Sequence, residues 1–311
     1  MNCIVIGSLG FDYIMDFPGK FSDRIMMDKT HKISLSFLVD KLNKQFGGTA
    51  GNIAYSLKLL GVDPFILSSA GNDFGPYEEF LKKNLMETKY IKQVTDVVTG
   101  SYFVVTDQED NQIGSFYGGA IKYAHELDIP DNLSDFVIIS STTPEAMNKA
   151  VNQCIQRKIK FMYDPAFQIG GLSIDDLKAG IAGCQIFIGN DYEIALVEKK
   201  FNIDHRTLVG MVQILITTLG ASGSIIETKD EKIDIKPAKA TEILDPTGAG
   251  DAFRGGFMAG YLRGYDLKTC GQMGSIAAVY TVERYGTMTH KITQDEFLSR
   301  YKQNYSVALN L

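Results

Sequence analysis

Short runs of aliphatic and β-branched residues alternate with helix-period segments along most of this chain, and that alternation restricts the fold more than any other feature. A strand that rejoins the same sheet in parallel needs a crossover long enough to hold a helix. The pattern therefore predicts an α/β protein with a mainly parallel central sheet flanked by helices. The expected strands are 3–7, 65–69, 136–140, 160–164, 185–189 and 212–217. Helical periodicity covers 51–60, 77–86, 145–157, 191–199, 249–263 and 267–284. Segments 224–228 and 232–236 flank Lys229-Asp230-Glu231 and read as a hairpin.

Two stretches break this rhythm, 12–39 and 99–117. Both contain alternating segments with no crossover helix, and the second turns at Glu109-Asp110-Asn111. They read as one small additional sheet, either an edge extension of the main domain or a lid over a site. No repeat or linker divides the chain, so residues 1–311 read as a single domain with that sheet attached.

Composition narrows the function. The chain has 37 acidic against 31 basic residues, a net charge of −6, which argues against a general nucleic-acid binder because that role needs cations to neutralise phosphates. The four cysteines are scattered singly and read as small core residues of a reducing compartment. No basic segment followed by a long apolar run opens the chain, and no apolar run approaches the ~20 residues that span a bilayer. The expectation is a soluble cytoplasmic protein with no membrane partner. The histidines (His31, His125, His205, His290) are dispersed and suggest no metal cluster. Gly19-Lys20 is followed by Phe21, not by Ser or Thr, so there is no Walker A loop. Neither a dinucleotide-binding glycine motif nor a nucleophile elbow occurs.

Two glycine-rich segments carry chemistry. Asp245-Pro246-Thr247-Gly248-Ala249-Gly250-Asp251 runs straight into an apolar helix. Such a helix start presents free N–H groups from Gly248, Ala249 and Gly250 where an anion would sit. Asp251 in the first turn is either an ordinary N-terminal cap or a base that takes a proton from an attacking hydroxyl. The other segment, Gly47-Gly48-Thr49-Ala50-Gly51-Asn52, opens a helix in the first part of the chain. It reads as a tight strand-to-helix turn, or as a ligand turn in which Asn52 offers both donor and acceptor to a hydroxyl.

Together these segments resemble the two signatures of the ribokinase family, the PfkB carbohydrate kinases: Gly-Gly-x-x-x-Asn, and Asp-x-Thr-Gly-Ala-Gly-Asp, matched here residue for residue. The resemblance implies a three-layer ribokinase-like fold with a small β-sheet lid. It assigns Asp251 as catalytic base and Gly248, Ala249 and Gly250 as the anion hole for the transferring phosphoryl group. It places Asp12, Gly47, Gly48 and Asn52 on the hydroxyls of a sugar ring. Asn190 and Glu193 match an Asn-x-x-Glu element that organises Mg²⁺ through water, although a plain helix cap by Asn190 is equally compatible. Thr218, Gly220 and Gly223 resemble a nucleotide loop contacting ATP, Thr247 joins it, and the base would lie near Gly274, Ala277 and Ala278. ATP and Mg²⁺ are thus the implied cofactors. A requirement for a monovalent cation stays open, as does the choice between monomer and homodimer.

The acceptor is less determined. Thr49-Ala50-Gly51 stands where ribokinases proper read Lys-Gly-Ala, and Gly10 stands where they place an Asn. After strand 136–140 no acid is available for a free ribose. Segments 17–21, 34–39, 164–168 and 282–287 resemble the adenosine-kinase-like branch instead. The lid stretches also carry Phe11, Phe37, Phe103, Phe116 and Tyr117, which either pack the lid or stack on a purine; Phe103 and Tyr117 are the candidates for base contact. The reading is an ATP-dependent kinase acting on the primary hydroxyl of a nucleoside, adenosine first. The alternatives are a kinase of ribose, fructose or a related furanose, and a non-catalytic sensor, which the intact Asp251 disfavours.

Overall fold

The computed structural model describes residues 2–25, 35–109, 111–131, 133 and 136–309. His31, Ser34, Asp110 and the 26–34 part of the expected small-sheet stretch lie outside the described residues. From the N-terminus come β1 (Asn2–Ile6), β2 (Gly10–Asp16), β3 (Lys41–Gly47), α1 (Thr49–Leu59), β4 (Asp63–Ala70), α2 (Gly75–Lys83) and β5 (Ile91–Gln93). The middle adds β6 (Gly100–Thr106), β7 (Gln112–Tyr117), β8 (Phe136–Ile139), α3 (Pro144–Arg157), β9 (Lys160–Tyr163), α4 (Ile174–Gly183) and β10 (Ile186–Asn190). The remainder is α5 (Asp191–Phe201), α6 (His205–Met211), β11 (Ile214–Thr218), β12 (Ser224–Glu227), β13 (Lys232–Ile235), α7 (Ala249–Leu262), α8 (Leu267–Val282) and α9 (Gln294–Tyr305).

Nine strands form the main sheet in the order β13-β12-β11-β10-β9-β8-β1-β4-β5. The pairs from β11 to β5 are parallel, and the β11–β12 and β12–β13 pairs at one edge are antiparallel. Every expected strand is present within two residues at each end. A parallel sheet is covered on both faces, so its strands are nearly all apolar, and strand alternation divides them between two cores. Cys3, Val5, Ile138, Met162, Ile188 and Ile216 face the layer of α1, α2, α7, α8 and α9. Ile4, Ile6, Val137, Ile139, Phe161 and Phe187 face α3, α4, α5 and α6. The result is the three-layer α/β architecture expected.

Glycines set how close α7 comes to its neighbours. A Cβ on Gly255 would lie 2.5 Å from Ser56 Cβ of α1, and one on Gly256 would lie 2.6 Å from the Met273 carbonyl of α8. With nothing larger than hydrogen there, α7 is wedged between both helices, which fixes its amino end against that of α1. Among the described residues no helix is long and apolar enough to cross a membrane.

The second sheet has four strands in the order β3-β2-β6-β7. It extends the expected lid stretches through β3, a strand of mixed polar residues that sequence pattern did not single out. Register pairs Asp12 with Gln45 and Tyr102, and Tyr102 with Phe116, so these four side chains share one face. Tyr13, Lys44, Phe103 and Ser115 occupy the other face, where Tyr13 and Phe103 stack with ring centroids 4.7 Å apart. β3 delivers the chain directly to Gly48 and α1.

Candidate active site

Two helices begin at this edge of the molecule on glycine. Gly48 precedes α1 at φ +90°, and a Cβ on it would sit 2.5 Å from the Ser8 carbonyl oxygen. Gly248 precedes α7 at φ +77°, with Thr287 Cγ2 2.8 Å from the position of its missing Cβ. Both conformations lie in the left-handed region, which strains any side chain. The loop before α7 is held by Asp245, whose carboxylate accepts hydrogen bonds from the Thr247 amide (2.9 Å) and the Gly286 amide (3.0 Å). No side chain caps α7. Among the described residues the amides of Gly248, Gly250 and Asp251 find no acceptor, whereas the Ala249 amide donates to Pro246 at 3.2 Å. Three of the four first donors are therefore open, at the positive end of a 14-residue helix. Such an arrangement can receive an anion.

Asp251 joins the two glycine segments. Its Oδ2 accepts a 2.8 Å hydrogen bond from Asn52 Nδ2 across 199 residues of sequence. The Asn52 side chain is buried, and its Oδ1 has no partner. Asp12 lies beside Gly47 so closely that a Cβ there would fall 2.2 Å from Asp12 Oδ2. Both carboxyls are pushed up to about 6. For Asp251 burial is the largest cause, offset by Arg254 and the Asn52 hydrogen bond and reinforced by Asp164 and Glu193. For Asp12 burial again leads, followed by the charges of Asp251 and Asp245. The charge of Asp251 is thus felt at Asp12. A base whose affinity sits near 6 is ionised at neutral pH yet still binds a proton usefully.

Arg254 and Asp164 belong to this cluster and were not singled out from the sequence. Arg254 Nε lies 2.5 Å from Asp164 Oδ2, and both side chains are buried. The signal was available: the charged residues of α7 are Asp251 and Arg254, three apart and so on one face. Tyr77 was also missed; its hydroxyl donates to the Gly47 carbonyl at 2.9 Å and steadies the turn before Gly48.

The other expected residues divide. Asn190 and Glu193 form a reciprocal capping box at the start of α5, each side chain accepting from the other's amide at 2.8 Å. Burial raises the Glu193 carboxyl, and its second oxygen stays uncommitted to the cap. Among the described residues no group of three His, Cys, Asp or Glu side chains could hold a metal by itself. A divalent cation here would need oxygen ligands from a phosphate chain and water, with Glu193 as the nearest protein contributor, and that fits the weak protein coordination Mg²⁺ accepts. Thr218 ends β11 beside β10, while Gly220 (φ +56°) and Gly223 (φ +98°) bound a tight turn closed by Leu219 and Gly223. Thr247 is exposed on the loop before α7. Phe103 and Tyr117 are not brought to Asp12. They occupy the opposite face of the small sheet, because each is an odd number of residues from the positions paired with Asp12. Tyr102 and Phe116 share Asp12's face instead.

Comparison with known proteins agrees with this geometry. The profile of the pfkB family carbohydrate kinases matches residues 18–294. The nucleoside kinase of Methanocaldococcus jannaschii is 31% identical over 301 residues, covering 96% of each chain. Its crystal structure superposes with a TM-score of 0.88 over 97% of this chain and 99% of that one. The Burkholderia thailandensis nucleoside kinase solved in complex with inosine gives a TM-score of 0.90 at 30% identity, covering 98% of this chain and 99% of that one. With the fold, both glycine signatures and full-length similarity in agreement, this chain belongs to the PfkB family of carbohydrate kinases, phosphotransferases that act on an alcohol acceptor.

Proposed function

We propose that this enzyme transfers the γ-phosphoryl group of ATP to the primary hydroxyl of a nucleoside, with adenosine and inosine as the first acceptors to try. The observation that carries the reading is the Asn52–Asp251 hydrogen bond, which sets a carboxylate of raised proton affinity beside three open amides. Asp251 takes the proton of the acceptor hydroxyl as that oxygen attacks phosphorus. The amides of Gly248, Gly250 and Asp251 stabilise the charge on the equatorial oxygens of the transferring group. Glu193 would help hold Mg²⁺ through water, and the ion would supply charge neutralisation for the leaving diphosphate. Asp12 orients the sugar by accepting from two vicinal hydroxyls, and Gly47 and Gly48 let the ring approach the backbone. The turn at 218–223 and Thr247 border the place left for the nucleotide.

Two things favour a nucleoside over a free sugar. Relatives matched over nearly their whole length at 30% identity or more include nucleoside kinases, one of them solved with inosine. The residues after β8 are hydroxyls, not acids, and the Ser140 hydroxyl is already spent on the Ile6 carbonyl and Thr49. The small sheet serves as a lid: β2 carries Asp12 and β3 runs into Gly48, so closure and acceptor binding move the same strands. An ADP-release assay across adenosine, inosine, cytidine, ribose and fructose tests the assignment. Nucleosides should give the higher kcat/KM, with little ATP hydrolysis when no acceptor is present. A free sugar turned over as well as the best nucleoside would overturn it.

A further inference from the structure

We propose that Arg254 is a positioning residue: its guanidinium ties the first turns of α7 to the end of β9 and thereby fixes the direction in which Asp251 points. The proposal rests on the reading of Asp251 as the base.

A helical side chain leans toward the amino end of its helix, so Arg254 runs back along α7 past the residue three before it, Asp251. Its Nη1 lies where a side chain at 250 would begin; a Cβ on Gly250 would meet it at 2.7 Å. Glycine at 250 therefore leaves room for the guanidinium as well as for an anion. At the far side Nε meets Asp164 Oδ2 at 2.5 Å, with Arg254 only 7% and Asp164 1% exposed. The approach is close but not aligned for a hydrogen bond, and Asp164 Oδ1 also lacks a partner. Asp164 is followed by Pro165 and by Ala166 at φ +45°, a left-handed alanine on the same turn. Burying a charged pair is expensive, and an apolar residue would pack α7 more cheaply, so packing does not account for it. What the pair does is bridge the sheet's carboxyl edge, from a helix of one outer layer to a strand end beside α5 of the other.

The surroundings of Asp251 make this bridge consequential. Asn52 on α1 donates to it, and Arg254 is the cation beside it. Asp164 and Glu193 on the β9 and α5 side, Asp12 on β2 and Tyr77 on α2 are the titratable groups that feel its charge or exert theirs upon it, and Asp245 acts on Asp12.

The full-length enzyme with Arg254→Gln, Arg254→Lys and Asp164→Asn, alongside Asp251→Asn, tests the idea. Steady-state kinetics across pH 5 to 8 is the readout. Arg254→Gln should lower kcat by about a hundredfold, the scale of a misplaced reacting group, with KM for nucleoside and ATP within about threefold of the parent. Arg254→Lys should recover part of the loss. The acid limb of kcat/KM should move to higher pH in Arg254→Gln, which loses a cation, and to lower pH in Asp164→Asn, which loses an anion. A merely structural defect would not shift the limb in opposite directions. If Arg254→Gln does not fold, a lowered kcat in Arg254→Lys and an acid limb moved to lower pH in Asp164→Asn carry the test, and a parental kcat with an unmoved limb overturns the proposal. A kcat within about twofold of the parent in Arg254→Gln, or limbs that move together, overturns the proposal while Asp251→Asn remains inactive. An active Asp251→Asn enzyme would instead overturn the base assignment beneath it.

Discussion

The helices of this molecule start in two ways. α3, α4, α5, α6, α8 and α9 are each capped by their own side chain, from Thr143, Ser173, Asn190, Asp204, Asp266 and Thr293 respectively. α1 and α7 start on left-handed glycines that supply no cap. In α1 the first amides are taken by Ser8, Thr49 donating to its Oγ at 3.1 Å and Ala50 to its carbonyl at 3.0 Å, and in α7 those of Gly248, Gly250 and Asp251 stay open among the described residues. (α2 is uncapped too, but a proline in its first turn removes one donor.) A capped start is closed to ligands because its donors are spent, and it contributes stability. An open start such as that of α7 is less stable alone, and its free donors are where binding energy can be collected. α5 shows that the division is not absolute, since its capping box uses only one oxygen of Glu193.

The largest expected effect tests the open class. Asp251→Asn should reduce kcat about a thousandfold, in the middle of the range for general bases, without lowering stability at neutral pH. In the parent enzyme kcat/KM should fall as pH drops through about 6, the value to which burial raises both Asp251 and Asp12. Stability should respond the other way. A carboxyl raised above its ordinary 3.8 is bound to a proton in the folded chain that the unfolded chain has released. Its favourable contribution is complete below about pH 4 and is lost as pH rises through about 6. Denaturant melts at pH 4.5 and 7 should therefore differ less for Asp251→Asn than for the parent. An equal difference would remove Asp251 from the account.

Gly248→Ala comes next. Alanine at φ +77° costs about 1–2 kcal/mol and would strike Thr287, so the turn must shift. A displaced anion site should cost about a hundredfold in kcat, measured with saturating substrates. Activity close to the parent's would mean that the open amides are not where the phosphoryl charge develops. The smallest effect belongs to the closed class. Asp266→Ala or Thr293→Ala should each lose about 1 kcal/mol, read from urea unfolding, with kcat unchanged. A cap variant that loses turnover without losing stability would break the division between the two classes.

Much of this was legible in sequence because the central strands are continuous apolar runs, and such runs leave few alternatives. The peripheral helices were harder. α6 has only seven residues and buries Leu208 alone; α9 buries chiefly Phe297 and Tyr301, and its clearest mark is the Thr293–Glu296 capping box, a polar signal. β3 was missed because Lys41, Asn43 and Lys44 dilute any alternation in a strand that is largely exposed. In the site, Asp251, Asn52 and the glycines stood out because glycine at a helix start admits few explanations. Phe103 and Tyr117 illustrate what sequence withholds. Alternation gives the parity of side chains within one strand, but which parity in β6 matches Asp12 in β2 depends on a register set by pairing. Arg254 was visible and unassigned, because its partner Asp164 is adjacent only after β9 is placed beside the start of α7.

The Asn52–Asp251 bond also bears on how the protein is made. Asn52 emerges early from the ribosome, and Asp251 only after four-fifths of the chain has been synthesised, so no nascent fragment lacking α7 holds both groups. Intermediate products can bury much of the sheet before Asp251 meets Asn52. Recovery of turnover during refolding accordingly reports long-range assembly, a later milestone than recovery of helical or sheet signal.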